Sequence, residues 1–124
     1  MKFLDSNVLA YAFYNSEHAI NCQKAIMEGG LTDTFNLIEA FFIIKKETGS
    51  KEIAQKSIKG LLKSNIQIVD VDVNLVFESL KRITKSKISI FDTIHYTCAS
   101  INSCSAILSY DKDFDNLDIP REEP

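Results

Sequence analysis

The sequence predicts an α/β fold, a three-layer α/β/α sandwich around a central parallel sheet. Three observations carry this. Short apolar runs alternate along the chain with longer segments of helical periodicity, and strands separated by helices pair in parallel with both faces covered. Right-handed crossovers then place those helices in two layers. Acidic residues also recur where strands end: Asp5 closes the first apolar run and Asp111 follows the last. Ligands of parallel sheets bind beyond the carboxyl ends of the strands.

The 124 residues suit one domain, 1–124, long enough to bury a core without disulfides. Hydrophobic residues make up 45% and charged residues 25%, the mix of a soluble globular chain. No apolar run approaches the roughly 18 residues of a membrane span. The opening MKFLDSNVLAYAFYN carries Asp5 and no small-residue cleavage site, so it does not read as a signal peptide, and a cytoplasmic protein is expected.

Element by element, Lys2–Asp5 reads as a strand and Asn7–Tyr14 as a helix with Ser6 as its N-cap. Glu17–Glu28 is a second helix ended by Gly29 and Gly30, and Thr34–Thr48 a strongly apolar one closed by Gly49. Ser50–Ser64 is amphipathic, with Ile53, Ile58, Leu61 and Leu62 inward. Ile66–Asp70 is a strand, Val73–Thr84 a helix carrying Leu75, Val76, Leu80 and Ile83, Ser89–Asn102 a helix, and Ala106–Ser109 a strand. A short turn or helix starts at Asp111, and residues from about 119 to 124 read as a frayed tail.

Cys22, Cys98 and Cys104 form neither a disulfide framework nor a zinc motif and read as small buried apolar side chains. Net charge is −3, so bulk charge gives no sign of nucleic-acid binding, although a metal supplies positive charge locally. Lysines cluster at Lys45, Lys46 and Lys51, at Lys56, Lys59 and Lys63, and at Lys81, Arg82, Lys85 and Lys87. These read first as solvated helix faces, with a phosphate-facing role left open.

Four acids stand out. Asp5 in FLDSN reads equally as a cap or turn residue. Glu39 interrupts TFNLIEAFFII, a stretch so apolar that its helix must be largely buried, and a buried unpaired carboxylate costs several kcal/mol. Its neighbours at i±3 and i±4 are Phe35, Asn36, Phe42 and Ile43, none of them basic. Asp92 completes the S-x-x-D capping box of Ser89-Ile90-Phe91-Asp92, which accounts for it without function, although a helix N-terminus also favours an ionised carboxylate. Asp111 opens YDKDFD, whose alternating acids are similar to the start of a calcium loop. Asn116 at the sixth position, Asp118 at the eighth and Pro120 exclude that loop. If the helices pack as expected, the four acids converge at one end of the sheet. Like charges about 4 Å apart repel by roughly 4 kcal/mol at an effective dielectric of 20, so such a cluster requires a cation. A donor set of oxygen alone points to magnesium or manganese.

These segments resemble the PIN-domain family. FLDSNVLAYAF is similar to its opening D-[TS]-N-x-L, NLIEAFFII to its second acidic segment, and SIFDTIHYTCASINSCSAILSYDKDF to its closing segment. The resemblance runs across nearly the whole chain, and at this size it is to single-domain VapC-type toxins of toxin–antitoxin pairs. It implies a magnesium- or manganese-dependent ribonuclease acting on RNA, commonly a homodimer, inhibited by a small antitoxin. It makes Asp5, Glu39, Asp92 and Asp111 the acidic site, with Asn7 and Ser109 as supporting polar residues; Ser109 stands where Thr is more usual. Asp113 and Asp115 read first as surface turn residues around Phe114, with a role as an extra acid left open for either, and His95 as packing or surface. The apolar surface of the N-terminal helices, including Tyr11, Phe13 and Tyr14, adds to the expectation of a homodimer.

The chemistry implied is phosphodiester hydrolysis, in which bound metal lowers the pKa of the attacking water and stabilises charge on the phosphate. Glu39 is the candidate for positioning or deprotonating that water. The alternative from another class is a PIN-like binding module without catalysis, and a metal-dependent nuclease assay separates the two. A receiver-type phosphorylation switch is disfavoured, because Asp5-Ser6 is not an acidic pair.

Overall fold

The computed structural model describes every residue from Met1 to Pro124. Five parallel strands form one sheet: β1 (Lys2–Leu4), β2 (Gly30–Asp33), β3 (Ile66–Val69), β4 (Ala106–Leu108) and β5 (Arg121–Glu122). Their spatial order is β3-β2-β1-β4-β5. The helices are α1 (Ser6–Tyr11), α2 (Ala19–Glu28), α3 (Thr34–Thr48), α4 (Lys51–Leu62), α5 (Val73–Ile83) and α6 (Ile90–Ile101), followed by a 3-10 turn at Lys112–Phe114. None is long and apolar enough to cross a membrane. The chain winds from β1 through β2 to β3, then returns through α5 and α6 to the far side of β1. The winding therefore reverses between β1 and β4, and a crevice opens beyond the strand ends at such a reversal.

Alternation along the strands feeds two cores, one on each face. Phe3 and Ile107 pack with Leu75, Ile94 and Cys98 from α5 and α6. Leu4 and Leu108 pack with Val8, Leu9, Leu37 and Ala40 from α1 and α3. The three layers expected from the sequence are thus present. Cys22, Cys98 and Cys104 are free and buried.

Local chemistry sets the helix starts. Asp33 caps Asn36 N at 2.9 Å, Ser50 caps Ile53 N at 3.1 Å, Asp72 caps Leu75 N at 2.8 Å and Ser89 caps Asp92 N at 3.1 Å. Each such cap stabilises its helix by about 1 kcal/mol. Gly49, left-handed at φ 69°, closes α3.

Several boundaries differ from expectation. The N-cap of α1 is Asp5 rather than Ser6: its Oδ1 accepts from Ser6 N at 2.8 Å. That helix stops at Tyr11, where Phe13 N turns back tightly to Ala10 O. α2 starts at Ala19 rather than Glu17, and no side chain caps it. In α4 the buried stripe is Ala54, Ser57 and Leu61, which leaves Ile53 and Leu62 outward; Leu80 of α5 is likewise exposed. Tyr11, Phe13 and Tyr14 pack against the α1–α3 core and do not form a free apolar surface.

Two strands escaped the sequence reading. β2 has one large apolar residue, Leu31, in GLTD. It is nonetheless central, and Gly30 is what lets it lie there. Gly30 sits at φ 139°, and a Cβ on it would meet Lys2 O at 2.5 Å and Leu4 Cδ1 at 2.7 Å. The residues read as a frayed tail form β5 on the edge of the sheet, with Ile119 buried beneath. Ile107 N bonds Pro120 O at 2.9 Å and Ser109 N bonds Glu122 O at 3.0 Å, so the tail satisfies donors that β4 would otherwise leave open.

Candidate metal centre

The site lies at the reversal between β1 and β4. Asp5 directly follows β1, and Ser109 and Asp111 directly follow β4. Both helices that contribute acids begin at this end of the sheet. α3 leaves β2 and carries Glu39 in its second turn; α6 carries Asp92 in its first turn, above the Ser89 cap.

Asp5 is 4% exposed and held on both oxygens. Oδ1 accepts from Ser6 N, while Oδ2 accepts from Ser109 Oγ at 2.6 Å and Asn7 Nδ2 at 3.3 Å. Ser109 Oγ in turn accepts from Asp111 N at 2.9 Å, which ties the loop after β4 to the end of β1. Asn7 Oδ1 accepts from Tyr110 N at 3.4 Å. Asn7 and Ser109 therefore tie Asp5 to the chain leading to Asp111.

Two groups of ligand atoms, each within 4.8 Å of one another, offer themselves to a cation: Asp5, Glu39 and His95, and Asp92, Asp111 and Asp113. The groups share one field. Asp92 is pushed up to about 6 by burial and then by the negative charges of Asp5, Asp111 and Glu39, partly offset by His95. Asp5 is also raised, by burial first, against the lowering effect of Ser109 and His95. The structure thus brings all four predicted acids together, and adds Asp113. Asp115 points elsewhere, bonded to Arg121 Nε at 2.7 Å. Concentrated carboxylate charge that lifts Asp92 toward neutrality is a feature a divalent cation would relieve, and the oxygen-rich donor set fits one.

His95 departs most from the sequence reading. It is fully buried between two carboxylates. Nδ1 meets Asp33 Oδ2 at 2.6 Å and Nε2 meets Glu39 Oε1 at 3.1 Å. Burial opposes its charge, but the bonds to Asp33 and Glu39 prevail and hold it up at about 10. The same contact answers the question of Glu39. Burial raises its pKa, the bond and charge of His95 lower it, and the net shift is downward. The missing basic partner was sought within α3 and comes instead from α6. Asp33 was not singled out at all. The available signal was an acid just before the apolar helix, with an S/T/D/N residue as expected of a cap; nothing in the sequence showed that its second oxygen reaches a histidine 62 residues on.

The expected capping box at α6 is only half formed. Ser89 Oγ accepts from Asp92 N, but the Asp92 carboxylate returns no bond to Ser89 and faces the other acids.

Among curated proteins, none matches the chain. Three of the solved structures that share its fold are the following. The VapC20 toxin of Mycobacterium tuberculosis, described as cleaving the sarcin–ricin loop, is 13% identical with a TM-score of 0.84, the match covering 100% of both chains. A toxin–antitoxin complex from Klebsiella pneumoniae is 13% identical with a TM-score of 0.71, covering 95% of this chain and 93% of that one. VapBC2 from Rickettsia felis, bound to a DNA fragment from its promoter, is 17% identical with a TM-score of 0.73, covering 98% and 97%. The sequence model of the PIN domain matches residues 2–120. That match spans β1 through β4 and every acid of the cluster, so by sequence and by fold alike this chain belongs to the PIN-domain family.

Proposed function

We propose that residues 1–124 form a single nuclease domain, a ribonuclease that uses magnesium or manganese, acting as the toxin of a two-component toxin–antitoxin pair. The carrying observation is the convergence of Asp5, Glu39, Asp92 and Asp111 from four chain segments on the β1/β4 reversal, with Asp92 raised to about 6. Family membership and the toxins among the similar folds support the reading.

Asp5, Glu39, Asp92 and Asp111 would hold the metal, which when bound supplies Lewis acidity to a phosphodiester and a more acidic water. The residues contribute the rest. Ser6 N, Ser109 and Asn7 hold Asp5 in place, and Ser109 and Ser6 oppose the rise that burial imposes on its pKa. Glu39, held ionised by His95, is the base positioned to accept a proton from the attacking water. A groove with Arg82, Lys85, Lys87 and Lys112 in its lining, alongside Asp115 and Asp118, runs to Asp113 at the edge of the acid cluster. It gives the phosphates of a single strand a path to the site despite the negative net charge.

Partners are a small antitoxin and a second copy of the chain. The surface that suits a copy best is the apolar groove of Phe35, Ile38, Phe42 and Phe91, where Ile38, Phe42 and Phe91 are all more than half exposed. A homodimer by light scattering that Phe42→Glu reduces to monomer is the expected result; wild-type monomer at micromolar concentration refutes it.

The enzyme reading is tested with purified protein, RNA and EDTA. Cleavage requires added magnesium or manganese, and Asp5→Asn and Asp111→Asn each remove most of it. Undiminished cleavage in EDTA would overturn the metal mechanism, and none with any divalent metal would leave a binding module.

A further inference from the structure

We propose that His95, anchored by Asp33, is a positioning residue for Glu39, a bridge that fixes the Glu39 carboxylate on the acid cluster. The inference rests on the ribonuclease reading above. Its basis is geometric. Asp33 is fully buried, and its two oxygens have separate tasks: Oδ1 caps α3 through Asn36 N at 2.9 Å, and Oδ2 meets His95 Nδ1 at 2.6 Å. His95 comes from α6 and shows no exposure. Its second nitrogen, Nε2, emerges only at Glu39 Oε1, 3.1 Å away, on a side chain 36% exposed. The line Asp33–His95–Glu39 thus runs from the closed interior to the open rim of the site.

The bonding is constrained by proton count. An imidazole nitrogen without hydrogen would set its lone pair against a carboxylate. Both short contacts form together only if the trio carries two bonding protons, either as imidazolium between two carboxylates or as imidazole with one carboxylic acid. No buried side-chain polar atom lacks a partner, the two ring nitrogens included. Both nitrogens face carboxylates within the protein, which makes His95 a bridge rather than a ligand, although its Nε2 lies within ligand distance of Asp5 and Glu39. The bridge also joins α3 to α6, the two helices that deliver Glu39 and Asp92. Without it Glu39, on an otherwise apolar stretch of α3, would keep only the Ser6 hydroxyl as a partner. A glutamate free to swing loses the alignment that proton transfer requires.

The test is a double-mutant cycle. His95→Ala strands a buried Asp33 charge and risks unfolding. The second variant is therefore Asp33→Asn/His95→Leu, which keeps an Asn cap on α3, removes the charge and fills the space. Each is made in wild-type and Glu39→Gln backgrounds. Thermal melting establishes folding, cleavage of an RNA oligonucleotide gives kcat and KM, and calorimetry gives manganese affinity. In the wild-type background kcat or manganese affinity falls about 10- to 100-fold, the usual cost of removing a group that orients a ligand, with KM little changed. In the Glu39→Gln background the same changes cost less than about twofold, because the residue through which His95 acts is already disabled. An equal loss in both backgrounds shows a merely structural histidine and overturns the proposal, as does no loss in either. A wild type that binds manganese but cleaves no RNA overturns the ribonuclease reading alone, and the cycle is then decided on manganese affinity. A wild type that does neither overturns both.

Discussion

Replacing Asp92 with Asn should stabilise the metal-free protein at neutral pH, although Asp92 belongs to a helix start where a carboxylate is normally favourable. The folded-state pKa is raised from 3.8 to about 6, chiefly by burial and then by Asp5 and Asp111. A raised carboxylate contributes stability that is fully present below its unfolded pKa and lost as pH rises through its folded pKa, here between about 4 and 6. At about 1.4 kcal/mol per unit the full shift corresponds to about 3 kcal/mol. Asp92 is only partly buried, so solvent screening brings this to about 1–2 kcal/mol. Asn forgoes the attraction of a carboxylate to the first turn of α6, about 0.5 kcal/mol. A net gain of about 1 kcal/mol remains, or roughly 4 °C in melting temperature for a domain of this size.

The assay is thermal denaturation of wild type and Asp92→Asn in EDTA from pH 4 to pH 8. The two should melt together near pH 4, diverge in favour of the variant through pH 6, and keep a constant gap above. Excess manganese should then invert the order, because wild type alone gains the binding contribution, about 2.7 kcal/mol at a hundredfold excess over Kd. A variant less stable than wild type at pH 7.5 in EDTA, or a gap that does not change with pH, refutes the reasoning: Asp92 would then act as an ordinary helix-start acid with no clustered charge around it.

Two further outcomes follow from the same geometry. Gly30→Ala should cost about 3 kcal/mol or prevent folding, since its Cβ collides with Lys2 O at 2.5 Å and its backbone stands at φ 139°; a melting temperature within 2 °C of wild type, about 0.5 kcal/mol, would show that β1 and β2 do not approach as described. Lys85→Ala/Lys87→Ala should weaken RNA binding uniformly across sequences and reduce the slope of log K against log salt by about one or more, measured by fluorescence anisotropy; an unchanged slope removes that groove from the phosphate path.

How much of this was legible depended on whether a residue's chemistry is local. Helix starts such as Ser50 and Ser89 were readable because a cap acts over three residues. Strands β1, β3 and β4 were readable as apolar runs, and the layered parallel sheet followed from their alternation with helices. β2 was not, because Thr32 and Asp33 are buried for their hydrogen bonds rather than their hydrophobicity: Thr32 Oγ1 donates to Leu4 O at 2.8 Å and Asp33 holds His95. β5 was hidden in a charged, proline-bearing tail whose order comes from pairing with β4. In the site, Asp5, Glu39, Asp92 and Asp111 were legible jointly, as acids with no apolar or capping explanation sufficient for all four. The Asp33–His95–Glu39 line was not, since it joins residues 56 and 62 positions apart in sequence.

The four acids are also not equivalent, and the difference lies in the donors that each carboxylate meets. Asp5 has a backbone amide, a serine and an asparagine on its oxygens. Asp111 accepts from Asp113 N at 2.9 Å and so caps the 3-10 turn. Glu39 has His95. Each of these carboxylates is matched by a donor that the fold supplies. Asp92 receives only the diffuse field of the α6 N-terminus, worth about 0.5 kcal/mol, while facing the combined charge of the other three. The rise of Asp92 to about 6 therefore comes from burial first and then from cluster charge that no side-chain or loop donor on its own carboxylate offsets. A divalent cation bound among the four acids would return that residue to its ordinary range, so the downward movement of its pKa on adding manganese measures how much of the site the metal completes.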